Sequence, residues 1–107
     1  MARALITVPP NVRRGEVFSV RVLIAHAMET GLRADADGKT LPRDILRRFA
    51  CRYNGRLVFQ AELYPAIAAN PYIAFTLLAA ESGTLSFQWE GDNGFAQTET
   101  TVLNVTA

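Results

Sequence analysis

Histidine and cysteine, the residues that most often serve in catalysis and metal binding, are nearly absent from this chain. Its 107 residues include one of each, His26 and Cys51. A lone cysteine cannot form an internal disulfide, and a zinc site needs several such ligands. The sequence also lacks a glycine-rich phosphate loop and a nucleophile elbow. It therefore predicts no cofactor, no metal site and no enzyme activity.

An excess of charge of either sign is also lacking. Lys and Arg number 11 and Asp and Glu 10, which gives a formal net charge of +1. Nucleic acids and anionic membranes select a concentrated basic face, so neither is expected as a partner. No apolar run is long enough to cross a bilayer, and the first residues lack the apolar stretch of a secretory signal. Taken alone, these features predict a cytoplasmic protein.

Short apolar runs separated by turn residues are abundant, and this spacing favours an all-β fold over a βαβ fold. Within one run Phe18, Val20 and Val22 share a face, while Ser19 and Arg21 take the other. We interpret residues 1–107 as a single domain folded as an immunoglobulin-like β-sandwich of about seven strands. The predicted strands cover residues 4–8, 16–26, 46–53, 57–63, 72–78, 84–90 and 95–105.

Three local predictions refine this fold. Asn54-Gly55 predicts a hairpin, but a two-residue loop would put the apolar residues of its strands on opposite faces. We therefore expect an odd-length loop with Gly55 at positive φ. A short helical turn is predicted at residues 42–47, with Pro42 near its first position. The last run is polar, which predicts an edge or partly solvated strand.

Four side chains are candidates for roles beyond ordinary packing. His26 lies at the inward-facing end of its strand, which favours a histidine fixed by a backbone hydrogen bond over a catalytic base. The inward parity of Cys51 favours a buried thiol over a reactive one. Met28 and Leu32 lie in the long connection 27–41. Each fits either a core contact or a partner contact.

Several segments of the chain resemble the SoxZ family. They are His26-Ala27-Met28-Glu29-Thr30-Gly31, Leu41-Pro42-Arg43, the run YPAIAANPY at residues 64–72, and Trp89 ahead of Asp92-Asn93-Gly94. The resemblance extends from about Thr7 to the C-terminus. The family usually has Pro at the position of Ala27, so the backbone that enters this loop is less restricted here.

The resemblance implies a partner and a pathway. SoxZ proteins pair with SoxY, whose flexible arm carries a cysteine that binds sulfur intermediates from thiosulfate and passes them among periplasmic Sox enzymes. The present chain has no Gly-Gly-Cys tail, and Cys51 is predicted in mid-strand. We therefore expect a non-catalytic subunit of a SoxYZ heterodimer, exported to the periplasm with its signal-bearing partner. The isolated chain is also expected to form a homodimer through the surface that SoxY covers.

The family-matching turns supply candidate docking residues for SoxY or the other Sox enzymes. They are His26, Met28, Glu29, Thr30, Gly31, Arg43, Asn70 and Pro71. Sulfur adducts are anionic, so an irregular segment with His26, Arg33 and Arg43 near it is a hypothetical docking region. The alternative is that these side chains brace the loop. An alternative function is a free-standing immunoglobulin-like module that binds a protein or a carbohydrate.

Overall fold

The structure, a computed structural model, describes residues 2–107, and nearly all of its regular secondary structure is β-strand. Its eight strands are β1 (Ala4–Thr7), β2 (Asn11–Arg13), β3 (Val17–Ile24), β4 (Leu46–Tyr53), β5 (Arg56–Glu62), β6 (Tyr72–Leu78), β7 (Gly83–Gly91) and β8 (Ala96–Thr106). Within residues 2–107 no helix is both long enough and apolar enough to span a membrane.

The strands form two sheets that pack face to face. One has the order β1-β3-β6 and the other β2-β8-β7-β4-β5. All pairs are antiparallel except β2 with β8. The chain crosses between the sheets at Pro9-Pro10, where two consecutive residues have no N–H group for a ladder. The predicted immunoglobulin-like sandwich is confirmed, with β2 as a short additional strand.

The core lies between the sheets and follows the predicted alternation. In β3 every second residue, from Phe18 to Ile24, is buried. Phe49 of β4 lies at the centre, with its ring centroid 5.3 Å from that of Trp89 and 6.3 Å from that of Phe87. Because aromatic rings bury large apolar areas, this cluster carries much of the hydrophobic stabilisation.

The hairpin between β4 and β5 has a shorter loop than the sequence predicts. Tyr53 pairs directly with Arg56, which leaves a two-residue loop. Asn54 has φ 50° and Gly55 φ 83°, as a type I′ turn requires. The predicted positive φ of Gly55 is confirmed, and the predicted odd-length loop is wrong.

A β-bulge resolves the conflict that led to that prediction. Arg52 pairs with Leu57, but Cys51 pairs with Phe59, so Val58 is an extra residue in β5. Beyond the bulge the apolar residues of both strands share the core face, because one inserted residue reverses the parity. The correction therefore takes place inside the strand and not in the turn.

Two further predictions differ from the structure. Residues 42–47 form no helical turn, because Asp44 makes an isolated β-bridge with Glu29 and β4 begins at Leu46. The one short helical turn described in residues 2–107 lies at Asp92–Gly94. The predicted edge position of the last strand is only partly right, since β2 covers β8 at residues 104–106.

Candidate functional site

Two of the segments that carry the family resemblance, residues 26–31 and 64–72, meet at one end of the sandwich. The backbone N–H of His26 donates to the side-chain oxygen of Asn70 over 3.0 Å. The backbone N–H of Asn70 donates in return to the His26 carbonyl over 2.7 Å. The neighbouring Pro71 carbonyl accepts from Ile24 N–H at 3.3 Å. Asn70 has φ 55°, a conformation that Asn tolerates better than most residues.

The imidazole of His26 is fixed on three sides. Its Nδ1 accepts a hydrogen bond from the backbone N–H of Met28 at 3.0 Å. The ring packs edge-to-face on Phe95, with centroids 5.5 Å apart. Its Nε2 lies 3.9 Å from a carboxylate oxygen of Asp44, and the side chain is 8% exposed. Because Nδ1 accepts this hydrogen bond, the ring nitrogen that carries a proton is Nε2, which faces Asp44. The predicted backbone-fixed histidine is confirmed.

Met28 is part of the core. It has φ 53° and is buried, and its sulfur accepts a hydrogen bond from the backbone N–H of Leu46 at 3.3 Å. Of the two alternatives for Met28, the structure supports a core contact. Leu32, by contrast, is 90% exposed and contributes nothing to the core.

Glu29 holds the following loop through both backbone and side chain. Its N–H donates to the Asp44 carbonyl at 2.9 Å, and its carbonyl accepts from Asp44 N–H at 2.7 Å. Its carboxylate pairs with the Arg33 guanidinium at 2.6 Å. The hydrogen bond from Arg33 lowers the pKa of the Glu29 carboxyl below its ordinary value. Thr30 caps the same turn by accepting from Leu32 N–H at 3.2 Å.

Gly31 lies where the loop passes close to Arg43, in the segment that precedes β4. Its φ of 85° favours glycine, and an added Cβ would lie 3.1 Å from the Cβ of Arg43. Glycine at this position therefore satisfies two constraints at once, one of backbone conformation and one of space.

Arg43 forms a bidentate ion pair with Asp92. Its Nε and Nη2 donate to the two carboxylate oxygens over 2.8 and 2.9 Å. Asp92 also accepts from Ile45 N–H at 3.2 Å and lies 3.3 Å from the guanidinium of Arg47. The hydrogen bond from Arg43, followed by the one from Ile45, lowers the pKa of the Asp92 carboxyl.

Asp92 is the site residue that sequence reasoning missed. It lies in the family-matching turn Asp92-Asn93-Gly94, but the sequence alone predicts no role for it. The available signal was a carboxylate at a turn next to Trp89, with three arginines between residues 43 and 48. Pairing Arg43 with Asp92 joins residues 49 positions apart, which no local pattern indicates.

The arginines of this region are compensated by carboxylates. A cleft of about 400 Å³ opens beside Arg43, and Arg47 and Arg48 line it as well. Arg43 and Arg47 both contact Asp92, and Arg48 pairs with Glu90 at 2.8 Å. In the hypothetical anion-docking region His26 lies 3.9 Å from Asp44, the residue after Arg43, but the guanidinium groups of Arg33 and Arg43 already have anionic partners. A docking role for these residues stays a prediction.

Cys51 lies in the centre of the core. It is fully buried between its strand neighbours Phe59 and Phe87. Burial raises the pKa of its thiol to about 12. Since the thiolate is the nucleophile in sulfur chemistry, this side chain is inert. In residues 2–107 there is also no group of three His, Cys, Asp or Glu that could hold a metal ion.

Solved structures with the same fold have distant sequences. A superoxide reductase (neelaredoxin) from Ignicoccus hospitalis is 18% identical, with a TM-score of 0.73 over 98% of this chain and 82% of that one. The sulfur carrier protein SoxY from Chlorobium limicola f thiosulfatophilum is 12% identical, with a TM-score of 0.68 over 97% of this chain and 79% of that one. At such identities the likeness shows the fold alone.

Sequence comparison gives a more specific result. No curated protein matches the chain. One protein family does, described as Sulphur oxidation protein SoxZ, and it matches residues 6–102, which is nearly the whole chain. The match includes every candidate docking residue from His26 to Pro71. The chain therefore belongs to the SoxZ family of sulphur oxidation proteins.

Proposed function

We propose that this protein is the non-catalytic subunit of a SoxYZ-type sulfur carrier. In this role it pairs with a SoxY chain and helps to present the sulfur intermediates on the SoxY cysteine to the Sox enzymes of thiosulfate oxidation. The observation that carries the proposal is the family match over residues 6–102. The likeness in fold to a SoxY protein agrees with a complex of two similar sandwiches.

The chemistry of the only thiol supports this division of labour. A carrier must expose a thiolate that can attack a sulfur intermediate and then move between active sites. Cys51 is buried and has a pKa of about 12, so it offers neither access nor a thiolate near neutral pH. The sulfur-bearing cysteine is accordingly assigned to SoxY.

The end of the sandwich that carries residues 26–31, Arg43 and Asn70, the loop end, supports a presenting role. His26, Glu29 and Asn70 are tied to the framework by hydrogen bonds before any partner arrives. A surface that is already ordered loses less conformational freedom on binding. We assign the docking of SoxY or of an incoming Sox enzyme to this end, with Arg43 at its border.

The proposed compartment is the periplasm. It follows from the proposed pairing, because a folded heterodimer can be exported on the signal of one subunit. Fractionation of cells that express this chain with and without its SoxY partner tests the point. Periplasmic recovery should depend on the partner and on the partner's signal.

The central experiment is co-purification of this chain with a SoxY protein, followed by an assay of thiosulfate-dependent turnover. A stable complex should form, and Cys51→Ala should keep turnover, whereas replacement of the SoxY arm cysteine should abolish it. Absence of any complex would refute the proposal and favour the free-standing binding module. Loss of turnover in a folded, paired Cys51→Ala complex would refute the assignment of the sulfur-bearing cysteine to SoxY.

The docking role has its own test in Arg43→Ala and His26→Gln, made separately. SoxY affinity and the rate of each Sox enzyme on loaded carrier should fall in at least one variant that keeps its stability. Glu90→Gln, which removes one partner of the Arg48–Glu90 ion pair in the same cleft, is the matched control. Wild-type affinity and rates in both variants would leave the loop a purely structural role.

A further inference from the structure

The outer edge of β6 is the longer of the two free edges of its sheet, since β6 has seven residues and β1, at the other end, has four. Among the described residues no strand pairs with it, since β6 follows β3 at the end of its sheet. Its sequence, YIAFTLL, contains no charge, no proline and no glycine. Proteins normally protect long free edges with charged residues, with proline or with bulges, because an open edge pairs with other strands. The other edge strand on this side, β5, has a bulge and ends in Arg56 and Glu62.

The direction of the free backbone groups follows from the hydrogen bonds to β3. Ile24 N–H donates to the Pro71 carbonyl, and Ala79 N–H donates to the Glu16 carbonyl. The register between these two bonds is continuous, so the odd-numbered residues of β6 bond to β3. The N–H and C=O groups of Tyr72, Ala74, Thr76 and Leu78 therefore point to the free edge.

We propose that this edge pairs with the same edge of a second copy of the chain, antiparallel and centred on Phe75, to form one six-stranded sheet. In this register Tyr72 lies opposite Leu78 of the second copy, and Ala74 lies opposite Thr76. All four are residues with free backbone groups, so each pair can exchange two hydrogen bonds. A register shifted by two residues leaves one of these four residues in each copy, Tyr72 or Leu78, without a partner. The inference goes beyond the proposed function and does not depend on it.

The exposed side chains of the sheet also favour a second copy. Tyr72 and Leu78 are each 59% exposed and apolar, and they lie at opposite ends of β6 on its outer face. Their neighbours on β3, Leu23 and Val17, are exposed as well. A two-fold axis through Phe75 joins the Tyr72 end of one copy to the Leu78 end of the other. Two separate apolar rows become continuous across the interface.

The charges of the second sheet are complementary about the same axis. Phe59 stacks on Phe75 with ring centroids 4.2 Å apart, so the middle of β5 lies over the middle of β6. Arg56 and Glu62 stand at the two ends of β5, and both are exposed. An axis through this stack brings Arg56 of one copy toward Glu62 of the other. Unlike charges therefore approach each other where like charges would have prevented the pairing.

Sedimentation equilibrium of the isolated chain tests the proposal, with two variants that differ only in the sign of one charge. Ala74→Glu with Thr76→Glu places like charges opposite each other twice, whereas Ala74→Glu with Thr76→Lys places unlike charges there. Cross-strand charge pairs differ enough that we expect the first variant to have at least about a ten-fold weaker dimer than the second. Thr7→Glu is the control, because Thr7 and Ala74 flank the same Arg21 on opposite sides. It should leave the dimer at wild-type strength.

Amide hydrogen exchange at low and high protein concentration gives a second, site-specific readout. Exchange at Ala74, Thr76 and Leu78 should slow as concentration rises, while Ile73 and Phe75, already bonded to β3, should not change. A monomer at all concentrations overturns the proposal. A dimer that treats the two charge variants alike, or that protects other amides, also overturns it.

Discussion

The aromatic core and the loop end of this protein are stabilised in different ways. Around Phe49, side chains from facing strands meet through apolar contacts that follow from strand parity. Around Arg43, a few polar groups join segments 49 residues apart through directional hydrogen bonds. Apolar contacts adapt to small changes, but a hydrogen bond with the wrong geometry is lost. The core should therefore govern global stability. The stability of the loop end should depend on pH and on changes of single atoms in its hydrogen-bonding side chains.

The largest effect should come from the core. Phe49→Ala removes a ring with four aromatic neighbours and leaves a cavity that the rigid sheets cannot fill. We expect a loss of about 3–5 kcal/mol in the free energy of unfolding. Urea denaturation measures it, and Phe49→Leu should lose clearly less. A loss below that of the loop variants would contradict the assigned importance of the core.

A smaller effect should come from the close approach at Gly31. Gly31→Ala combines a strained backbone with a Cβ 3.1 Å from the Cβ of Arg43, and we expect a loss of about 1–3 kcal/mol. Gly38→Ala is the matched control, because its φ of 81° is similar but no atom lies within 4 Å of the added Cβ. Thermal melts of both variants separate the two contributions. Equal losses would show that the contact with Arg43 is irrelevant.

The smallest effect on stability, and the most sensitive to pH, should come from Asp92. Its pKa is lowered from the ordinary 3.8, chiefly by Arg43, so the ionised form is favoured in the folded state. The resulting stabilisation is present above the ordinary pKa and is lost as the pH falls through the lower folded value. Asp92→Asn should remove it at neutral pH and flatten the acid limb of a melting-temperature profile.

Glu90→Gln controls for that experiment, because the Arg48–Glu90 pair is exposed and contributes less than about 1 kcal/mol. Its profile should follow the wild type. An unchanged acid limb in Asp92→Asn would show that this carboxylate does not anchor the loop end.

The same comparison explains which features were predictable from sequence. The alternation in β3 and β4 determines which side chains face the core, so the sandwich and the burial of Cys51 followed from parity. The bulge at Val58 did not, because the sequence shows a conflict between turn and register without showing where it is relieved. Strand β2 has a single buried side chain, Val12, which is too little for a periodic signal.

At the loop end the family resemblance found the segments, and the structure supplied their contacts. The resemblance gathered His26, Arg43 and Asn70 as candidate residues, and they do lie at one end of the sandwich. The partners of these residues depend on tertiary pairing, as with Asp92, so no local pattern could identify them. The expected helical turn at Pro42 failed for this reason, since the bridge between Glu29 and Asp44 overrides local preference.

The parallel pairing of β2 with β8 has a consequence for how the protein folds. Asn11 aligns with Asn104, so the ladder of β2 cannot form until β8 is available to pair with it. Pairings between distant segments slow folding, because the entropy of closing the chain is lost before contacts compensate it. A chain that emerges in order from the ribosome cannot complete its second sheet until synthesis reaches β8. Until then the apolar inner face of that sheet is open, and a nascent chain at this stage is most exposed to aggregation.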